Sequence, residues 1–395
     1  MTTEGDATHR AADARSAFGV NGAGLNIGVL SDGASSLAAS QATGDLPPTC
    51  PAGPPCVTVL PGQTGSGDEG TAMMEIIHDL APGANLFFAT AFTSIDSFAQ
   101  NIRDLRTAGC DIIVDDVFYF VETPFQDGQD PSILSDTNGG VVIQAVNDVT
   151  AAGAMYFSSA GSQGNLDDAF AGNYEGDFVD AASVPPLPSG SVTLFGGAGG
   201  NPFDTITFNA GEPTFLFWAD PLGGSNNDYD LFVLNSTGTT IVDASLDLQD
   251  GTQDPVEAVN PHPAGDLLLV YKPTAAADVF FHLDTFGGAM DVVTAGQTHG
   301  HATAAAAFGV AATPAFTAIA PGFPMGPYPN PFNSTNVVEP YSSDGPRQLF
   351  FAADGTPITP GNFTSTGGLI RQKPDVTAAD GYPGETRTTM RSSRH

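Results

Sequence analysis

Two carboxylates stand where parallel α/β proteins place their chemistry, at the ends of predicted elements. The apolar run 25–30 predicts a strand that delivers Asp32, and the run 69–79 predicts a helix that begins with Glu69. Two carboxylates that share a site do not both ionise at low cost, so one pKa rises and the other stays low. A glutamate with a raised pKa can take a proton from a hydroxyl group. The alternative for Glu69 is an acid favoured by the dipole in the first turn of a helix.

A second pair of acids follows another apolar run. Ile112-Ile113-Val114 predicts a buried strand that leads to Asp115 and Asp116, and we favour Asp116 as a site residue, with a solvated loop as the alternative. Further along, the strand pattern at 154–158 leads into the loop Ala160-Gly161-Ser162-Gln163-Gly164. Ser162 offers a hydroxyl donor there, and Asn165 offers an amide donor.

Four stretches, in chain order, resemble motifs of the subtilase family of serine peptidases. They are Ser31-Asp32-Gly33, Asp68-Glu69-Gly70-Thr71, Tyr341-Ser342-Ser343-Asp344-Gly345-Pro346 and Lys373-Pro374-Asp375-Val376. Glu69 stands where subtilases carry the triad histidine, which is similar to the sedolisin pattern. The resemblance therefore implies peptide-bond hydrolysis through an acyl-enzyme, with Asp32 and Glu69 as catalytic residues. It also implies a protein or peptide substrate, an extracellular location and chemistry that requires no cofactor.

Two positions depart from the sedolisin pattern. Sedolisins carry an aspartate four residues after the glutamate, and Met73 stands there in this chain. The acid that orients the base is therefore expected to be Asp32 or one of the pair Asp115-Asp116. Ser162 stands where subtilases carry the asparagine that donates to the oxyanion, so the resemblance assigns this role to Ser162, or to Asn165 as a substitute.

The serine box of subtilases, a Gly-Thr-Ser motif that begins a helix, is expected after Lys373-Pro374-Asp375. Instead the chain continues into an arginine-rich stretch in which Ser392 and Ser393 lack the glycine-threonine context. Five of the 11 basic residues lie in this last part: Arg371, Lys373, Arg387, Arg391 and Arg394. We interpret the change as a frameshift or truncation near Gly381, which predicts that the chain is catalytically incomplete.

The predicted elements belong to an α/β fold. Strand patterns at 25–30, 85–91, 111–117 and 154–158 alternate with helix patterns at 69–79, 94–107 and 139–152. This alternation predicts a parallel sheet flanked by helices, of subtilisin-like type by the resemblance. Residues 1–175 and 289–395 are predicted to form the first part and the second, truncated part of the catalytic domain.

Between these parts, the composition changes to short β-like runs separated by Gly, Pro, Asn and Asp. Residues 176–288 are therefore predicted to form an inserted all-β sandwich, and 228–234 with 254–257 resemble the pre-peptidase sandwich modules of secreted proteases. Asp228 and Asp230 are candidate ligands for a structural calcium ion. The alternative hypothesis for the whole chain is a secreted binding or adhesion protein that uses this sandwich on an inactive protease scaffold.

The chain is strongly acidic, with 44 Asp and Glu, 11 Lys and Arg, and a formal net charge of −33 over 395 residues. Long-range repulsion argues against nucleic acid and anionic membranes as partners. The acidity suits a saline or an acidic habitat equally. No signal peptide is visible in the first six residues, and no run approaches 18 apolar residues.

Cysteine and histidine residues give weaker indications. Cys50 and Cys56 flank a Pro/Gly loop and predict either a disulfide ring or two free thiols, and Cys110 is expected to be an inert core residue. We interpret His78 as part of a helix C-terminus, and the pair His299 and His301 as core residues that only mimic a metal pair.

Overall fold

The computed structural model of the protein describes residues 5–50, 53–168, 171–273, 275–314 and 337–380. The helices in these ranges are α1 (Gly5–Thr8), α2 (Ala11–Phe18), α3 (Leu37–Thr43), α4 (Glu69–Leu80), α5 (Ile95–Thr107) and α6 (Val141–Ala151), and a 3-10 helix, η1, follows at Gly300–Thr303. None of the described helices is long and apolar enough to cross a membrane.

The strands fall into three groups along the chain. The first group comprises β1 (Asn26–Ser31), β2 (Val57–Val59), β3 (Asn85–Thr90), β4 (Ile112–Asp115), β5 (Gln126–Asp127) and β6 (Met155–Ser159). The second comprises β7 (Asn173–Asp177), β8 (Asp180–Ala182), β9 (Ser191–Thr193), β10 (Asp204–Phe208), β11 (Thr214–Trp218), β12 (Asp230–Leu234), β13 (Ile241–Ser245), β14 (Val256–Val259), β15 (Leu267–Lys272), β16 (Phe280–Asp284) and β17 (Ala289–Met290). The third comprises β18 (Ala307–Pro314), β19 (Arg347–Leu349), β20 (Phe351–Ala352), β21 (Leu369–Arg371) and β22 (Val376–Asp380).

A seven-stranded parallel sheet in the order β2-β3-β1-β4-β6-β18-β22 organises the first and third groups. The α/β class predicted from the sequence is confirmed, and each predicted strand and helix of 25–158 is found with ends within two residues of the predicted ones. Successive side chains of a strand point to opposite faces of the sheet. On β1, Val29 accordingly packs in the core beneath α4 with Met74, and Leu30 packs with Phe98 of α5. Helices therefore cover both faces, which explains why the strands are almost continuously apolar.

The second group forms two antiparallel sheets. One contains the path β13-β12-β15-β10-β17 with β8 and β9 attached, and the other has the order β14-β11-β16-β7. A single cluster of buried residues, rich in aromatic rings such as Trp218, Tyr229 and Phe281, takes side chains from both sheets. The antiparallel strands begin at Asn173 and end at Met290, so they extend two or three residues beyond each end of the predicted insert, 176–288.

The aromatic core also contains residues that lie outside the antiparallel strands. Phe125, Phe350 and Phe351 belong to the same buried cluster as Trp218. Next to them, β5 and β20 pair as parallel strands, with Phe351 opposite Gln126. The ring centroid of Phe350 lies 5.6 Å from that of Phe125 and 5.6 Å from that of Phe280 on β16. The antiparallel region and the segments around it therefore share part of one core.

We expect Phe350→Ala to destabilise the protein by about 3–5 kcal/mol, because it opens a cavity where Phe125 and Phe280 meet. Phe208→Ala is the matched control, because Phe208 lies in β10 with 51% of its surface exposed. Urea unfolding followed by circular dichroism measures both variants. A Phe350→Ala variant as stable as the Phe208→Ala variant would show that the shared core contributes little.

Candidate active site

The acids singled out in the sequence lie at the carboxyl edge of the parallel sheet. Asp32 follows β1 directly, and Asp115 ends β4, which is the neighbour of β1 in the sheet. Glu69 is the first residue of α4, and Asp380 ends the edge strand β22. Because the strands are parallel, their carboxyl ends share one edge, where α/β proteins commonly form their sites.

Glu69 is a strongly perturbed acid of this edge. Its Oε2 accepts a hydrogen bond of 2.7 Å from Ser31 Oγ. Burial raises the pKa of Glu69 to about 7, the nearby charges of Asp116 and Asp32 act in the same direction, and the hydrogen bond from Ser31 opposes them. Glu69 therefore exchanges its proton near neutral pH, although an ordinary glutamate is ionised there.

Asp32 is held at the N-terminus of α4 by close backbone packing. Its Oδ1 accepts from the backbone N–H of Gly33 at 2.5 Å and of Gly70 at 3.4 Å, where the helix dipole also favours a negative charge. Gly67 lies against the other carboxylate oxygen with φ +123°, and a Cβ at this position would overlap Asp32 Oδ2. Only glycine fits both this conformation and this contact. The glycine-rich turn before α4 thus fixes the distance between Asp32 and Glu69.

Asp116 is the third acid of the group. Its side chain is exposed to solvent, yet protein surrounds the carboxylate closely enough that lost hydration raises its pKa. A hydrogen bond from Ser159 lowers this pKa, whereas the charges of Asp115 and Asp380 raise it. The mutual repulsion of Asp116 and Glu69 shows that the structure brings these two predicted residues together with Asp32.

Asp115 has different surroundings. It accepts from Ser158 Oγ at 2.7 Å and from the hydroxyl of Tyr156, and its Oδ1 lies 3.2 Å from His301 Nε2. His301 Nδ1 contacts Glu122 Oε2 at 2.8 Å. Burial alone would lower the pKa of His301, but the two carboxylates together raise it to about 10. Of the pair 115–116, the first residue thus belongs to a buried ion network and the second to the site.

The predicted oxyanion donors have separate environments. Ser162 is half-buried in the loop after β6, and among the described residues it makes no hydrogen bond to the three acids. Asn165 is buried, and its amide donates to the carbonyl oxygens of Glu339, Pro340 and Ser342 at 3.2–3.3 Å. The Asn165 amide therefore stabilises the 339–342 turn and is not free to donate to a substrate.

Two serines that sequence reasoning passed over contact the acids. Ser31 donates to Glu69, and Ser159 hydrogen-bonds Asp116. Each is the last residue of a strand, at β1 and β6. Their position at the carboxyl edge was the signal available in the sequence. Both side chains orient an acid, and Ser31 is fully buried.

The cysteines and histidines that the sequence analysis singled out lie at several separate places in the structure. Cys50 and Cys56 form a disulfide bond. Cys110 is a buried free cysteine whose pKa burial raises to about 12, which suits an inert core residue. His78 lies in the last turn of α4, as interpreted. His299 and His301 are both buried, and each makes polar contacts beyond those of simple core residues.

The proposed calcium ligands lie on or next to β12. Asp228 Oδ1 accepts from the backbone N–H of Gln249, and burial, with the charge of Asp228, raises the pKa of Asp230 to about 6. A calcium role for this pair stays a prediction. Ser392, Ser393 and the rest of the arginine-rich stretch lie outside the described residues.

No family model matches the chain, and no curated protein matches it. The resemblance to subtilases therefore depends on the four short sequence motifs alone.

Replacing Glu69 by glutamine should change the pH dependence of stability. The folded carboxyl binds its proton more tightly, with a pKa of about 7 against 4.5 for the ordinary group, so the free energy of unfolding falls as pH rises between these values. Glutamine does not titrate. The free energy of unfolding of Glu69→Gln, relative to that of the wild type, should therefore increase by on the order of 2 kcal/mol from about pH 4 to about pH 8, after allowance for the partial exposure of Glu69.

Urea unfolding at each pH measures this difference. Glu75→Gln is the control, because Glu75 lies on the same helix and accepts from Ser40 Oγ. If both variants change with pH in parallel, the environment of Glu69 is not the cause.

Proposed function

We propose that this chain carries the acid–base half of a serine-type peptidase site of the subtilase and sedolisin-like kind, on a fold of subtilisin-like type. The observation that carries the proposal is the Glu69 carboxyl, held by Ser31 at the carboxyl edge of the sheet with a pKa of about 7. A base with a pKa near the working pH is the most effective at taking and returning protons.

In this proposal, the nucleophilic hydroxyl attacks the peptide carbonyl carbon and gives its proton to Glu69. Glu69 then passes this proton to the leaving amine as the C–N bond breaks, and a water molecule, deprotonated in turn by Glu69, hydrolyses the acyl-enzyme. Burial holds the pKa of Glu69 high, and the charges of Asp116 and Asp32 add to this effect. Ser162 is proposed to donate to the oxyanion.

The nucleophile is the part of the site for which the described residues offer no good candidate. Ser31 contacts Glu69 but is completely buried, so no substrate carbonyl can reach it. Ser159 is bonded to Asp116 and to the backbone N–H of Gly161. We therefore propose that no serine of this chain serves as the nucleophile, in keeping with a motif order that lacks the serine box.

The proposed substrate is a protein or peptide, and the proposed location is extracellular. The Cys50–Cys56 disulfide supports an oxidising compartment. The net charge of −33 disfavours nucleic acid and anionic membranes as partners.

The 395-residue chain should not react with a fluorophosphonate probe at any pH, because no described serine is both open to substrate and in contact with Glu69, and Ser392 and Ser393 lack the glycine-threonine context. Labelling followed by peptide mass spectrometry tests this, with heat-denatured protein as the background control. A specific label on Ser159, Ser392 or Ser393 would identify a nucleophile that the proposal does not recognise.

Supplying a serine box should create activity that depends on Glu69. In a chain joined after Gly381 to a Gly-Thr-Ser segment from a downstream reading frame, kcat/KM for a peptide should rise with pH through about 7, as Glu69 loses its proton. Glu69→Gln in this background should lower kcat by about 10²–10⁴-fold, and Glu75→Gln should leave it near that of the parent. Peptidase activity that ignores Glu69→Gln would disprove the assignment of the base, and a folded but inactive extended chain would count against the peptidase proposal itself.

A further inference from the structure

A second group of polar side chains lies where the antiparallel sheet with β16 meets the segment before η1, and it shares no residue with the candidate active site. His282 and Asp284 stand two residues apart on β16, so their side chains share one face of the strand. His299 directly precedes η1. One potential ligand atom from each of these three side chains lies within 4.8 Å of the others.

The three side chains are sealed from solvent. His282 and Asp284 are 0% exposed and His299 is 3% exposed. The two imidazole rings lie 5.0 Å apart between centroids, and Phe118 packs edge-on against His299 at 4.8 Å. A polar nitrogen without a partner in such a place costs free energy, because water cannot reach it.

Both histidines nevertheless leave one nitrogen unpaired. His282 Nδ1 lies 2.7 Å from Glu175 Oε1, and His299 Nδ1 lies 3.1 Å from the carbonyl oxygen of Gln297. These acceptors hold the proton on Nδ1, which leaves a lone pair on each Nε2. Within the described ranges, neither Nε2 atom has a hydrogen-bond partner.

We propose that His282, Asp284 and His299 form a binding site for a divalent transition-metal ion of the zinc class. Two imidazole nitrogens and one carboxylate are a usual ligand set for zinc, and a fourth ligand completes the tetrahedron. Calcium and magnesium prefer an all-oxygen set, so the two nitrogens select against them.

The surroundings of the three ligands are those that metal sites use to orient them. The nitrogen of a ligating histidine that faces away from the metal commonly contacts a carboxylate or a backbone carbonyl. Here the Glu175 carboxylate contacts His282 in this way, and the Gln297 carbonyl contacts His299. Asp284 is also fixed, because its Oδ1 accepts from the backbone N–H of Phe286 at 2.7 Å and its Oδ2 from Gln297 Nε2 at 2.6 Å.

The geometry requires only a small contraction. Ligand atoms about 2.0–2.2 Å from a tetrahedral metal are roughly 3.4 Å apart. His282 Nε2 and Asp284 Oδ2 are already 3.6 Å apart. The two ligand atoms that lie farthest apart are at most 4.8 Å from each other. A shift of about 1.4 Å, which ring rotation can provide, brings them to the tetrahedral separation of roughly 3.4 Å.

The local charges also favour a cation. The guanidinium of buried Arg347 contacts Glu175 and neutralises it, so Asp284 is the carboxylate left to balance the ion. Without a metal, ion pairing of His282 with Glu175 and Asp284 is the competing arrangement. That arrangement leaves His299 Nε2 without a partner, whereas a metal ion satisfies both Nε2 atoms. The proposal does not depend on peptidase activity.

Metal binding by the full chain is the test. The protein is unfolded in urea with a chelator, refolded with or without Zn²⁺ or Co²⁺, and freed of excess metal, because the sealed ligands would exchange slowly in the folded state. We expect one Zn²⁺ per chain by elemental analysis, and visible d–d absorption of tetrahedral type from bound Co²⁺. Competing Ca²⁺ in excess should not displace either ion.

Variants locate the site. His299→Gln and Asp284→Asn should weaken Zn²⁺ binding by more than about 100-fold, and Glu175→Gln by about 10–100-fold, as expected for a ligand and for an outer contact respectively. His262→Gln is the matched control, because the ring nitrogens of His262 contact Asp243 and Asp266 outside this group.

Two results would overturn the proposal: wild-type protein that refolds yet retains neither Zn²⁺ nor Co²⁺, or folded His299→Gln and Asp284→Asn variants that bind like the control. If one variant fails to fold, the stoichiometry and the Co²⁺ spectrum of the wild type still decide the outcome.

Discussion

The charged contact of His301 with Asp115 and Glu122 is the interaction on which the rest of the structure depends. All three side chains are buried, and the two carboxylates raise the pKa of His301 to about 10. The contact connects η1 to the end of β4 and to the loop that follows β4. Glu122 and His301 are 179 positions apart in the sequence. Removing the imidazole would leave two buried carboxylates without a counter-charge. This would destabilise the folded state far more than replacing all three groups by apolar side chains. Asp116 follows Asp115 directly, so this contact also sets the position of the candidate active site.

Burial of acids is a general property of this chain, and it qualifies what a raised pKa means. Burial raises the pKa of Asp204, Glu257 and Glu339 to about 7, as it does for Glu69. A perturbed carboxyl is therefore not by itself a sign of catalysis in this protein. Glu69 differs from these three in accepting a hydrogen bond from Ser31 at the end of β1 and in lying beside Asp116 and Asp32. The proposal for its function rests on that combination.

The α/β elements could be predicted from the sequence because each depends on local patterns. The run that ends at Leu30 and the helix that begins at Glu69 show their periodicity within a few residues, and β1 and α4 appear at those places. The sequence predicts that the strands form a parallel sheet, but it does not predict their order in that sheet. The register that brings the ends of β1 and β4, and with them Asp32 and Asp116, to one edge comes from pairing between distant segments.

The polar partners were harder to predict, for the same physical reason. Nothing near Asp115 in the sequence shows that it would bind His301, whereas Asp116 would face Glu69. The histidine pair 299 and 301 was interpreted as core, and its burial is confirmed, but a count of apolar neighbours cannot show which nitrogens find acceptors. The two residues alternate around Gly300, so His301 contacts the α/β region while His299 packs toward the antiparallel sheets.

The path of the chain through the parallel sheet has a consequence for its synthesis. β6 pairs with β18, yet residues 160–306, with the whole antiparallel region, lie between these two strands. Domains generally fold as units while the chain emerges from its N-terminus, so β6 presents an unpaired edge until the third group of strands has been made. Open edges of this kind invite pairing with other chains. The net charge of −33 repels neighbouring chains over that interval. The acidic surface thus protects the unfinished sheet before it has any part in the finished protein.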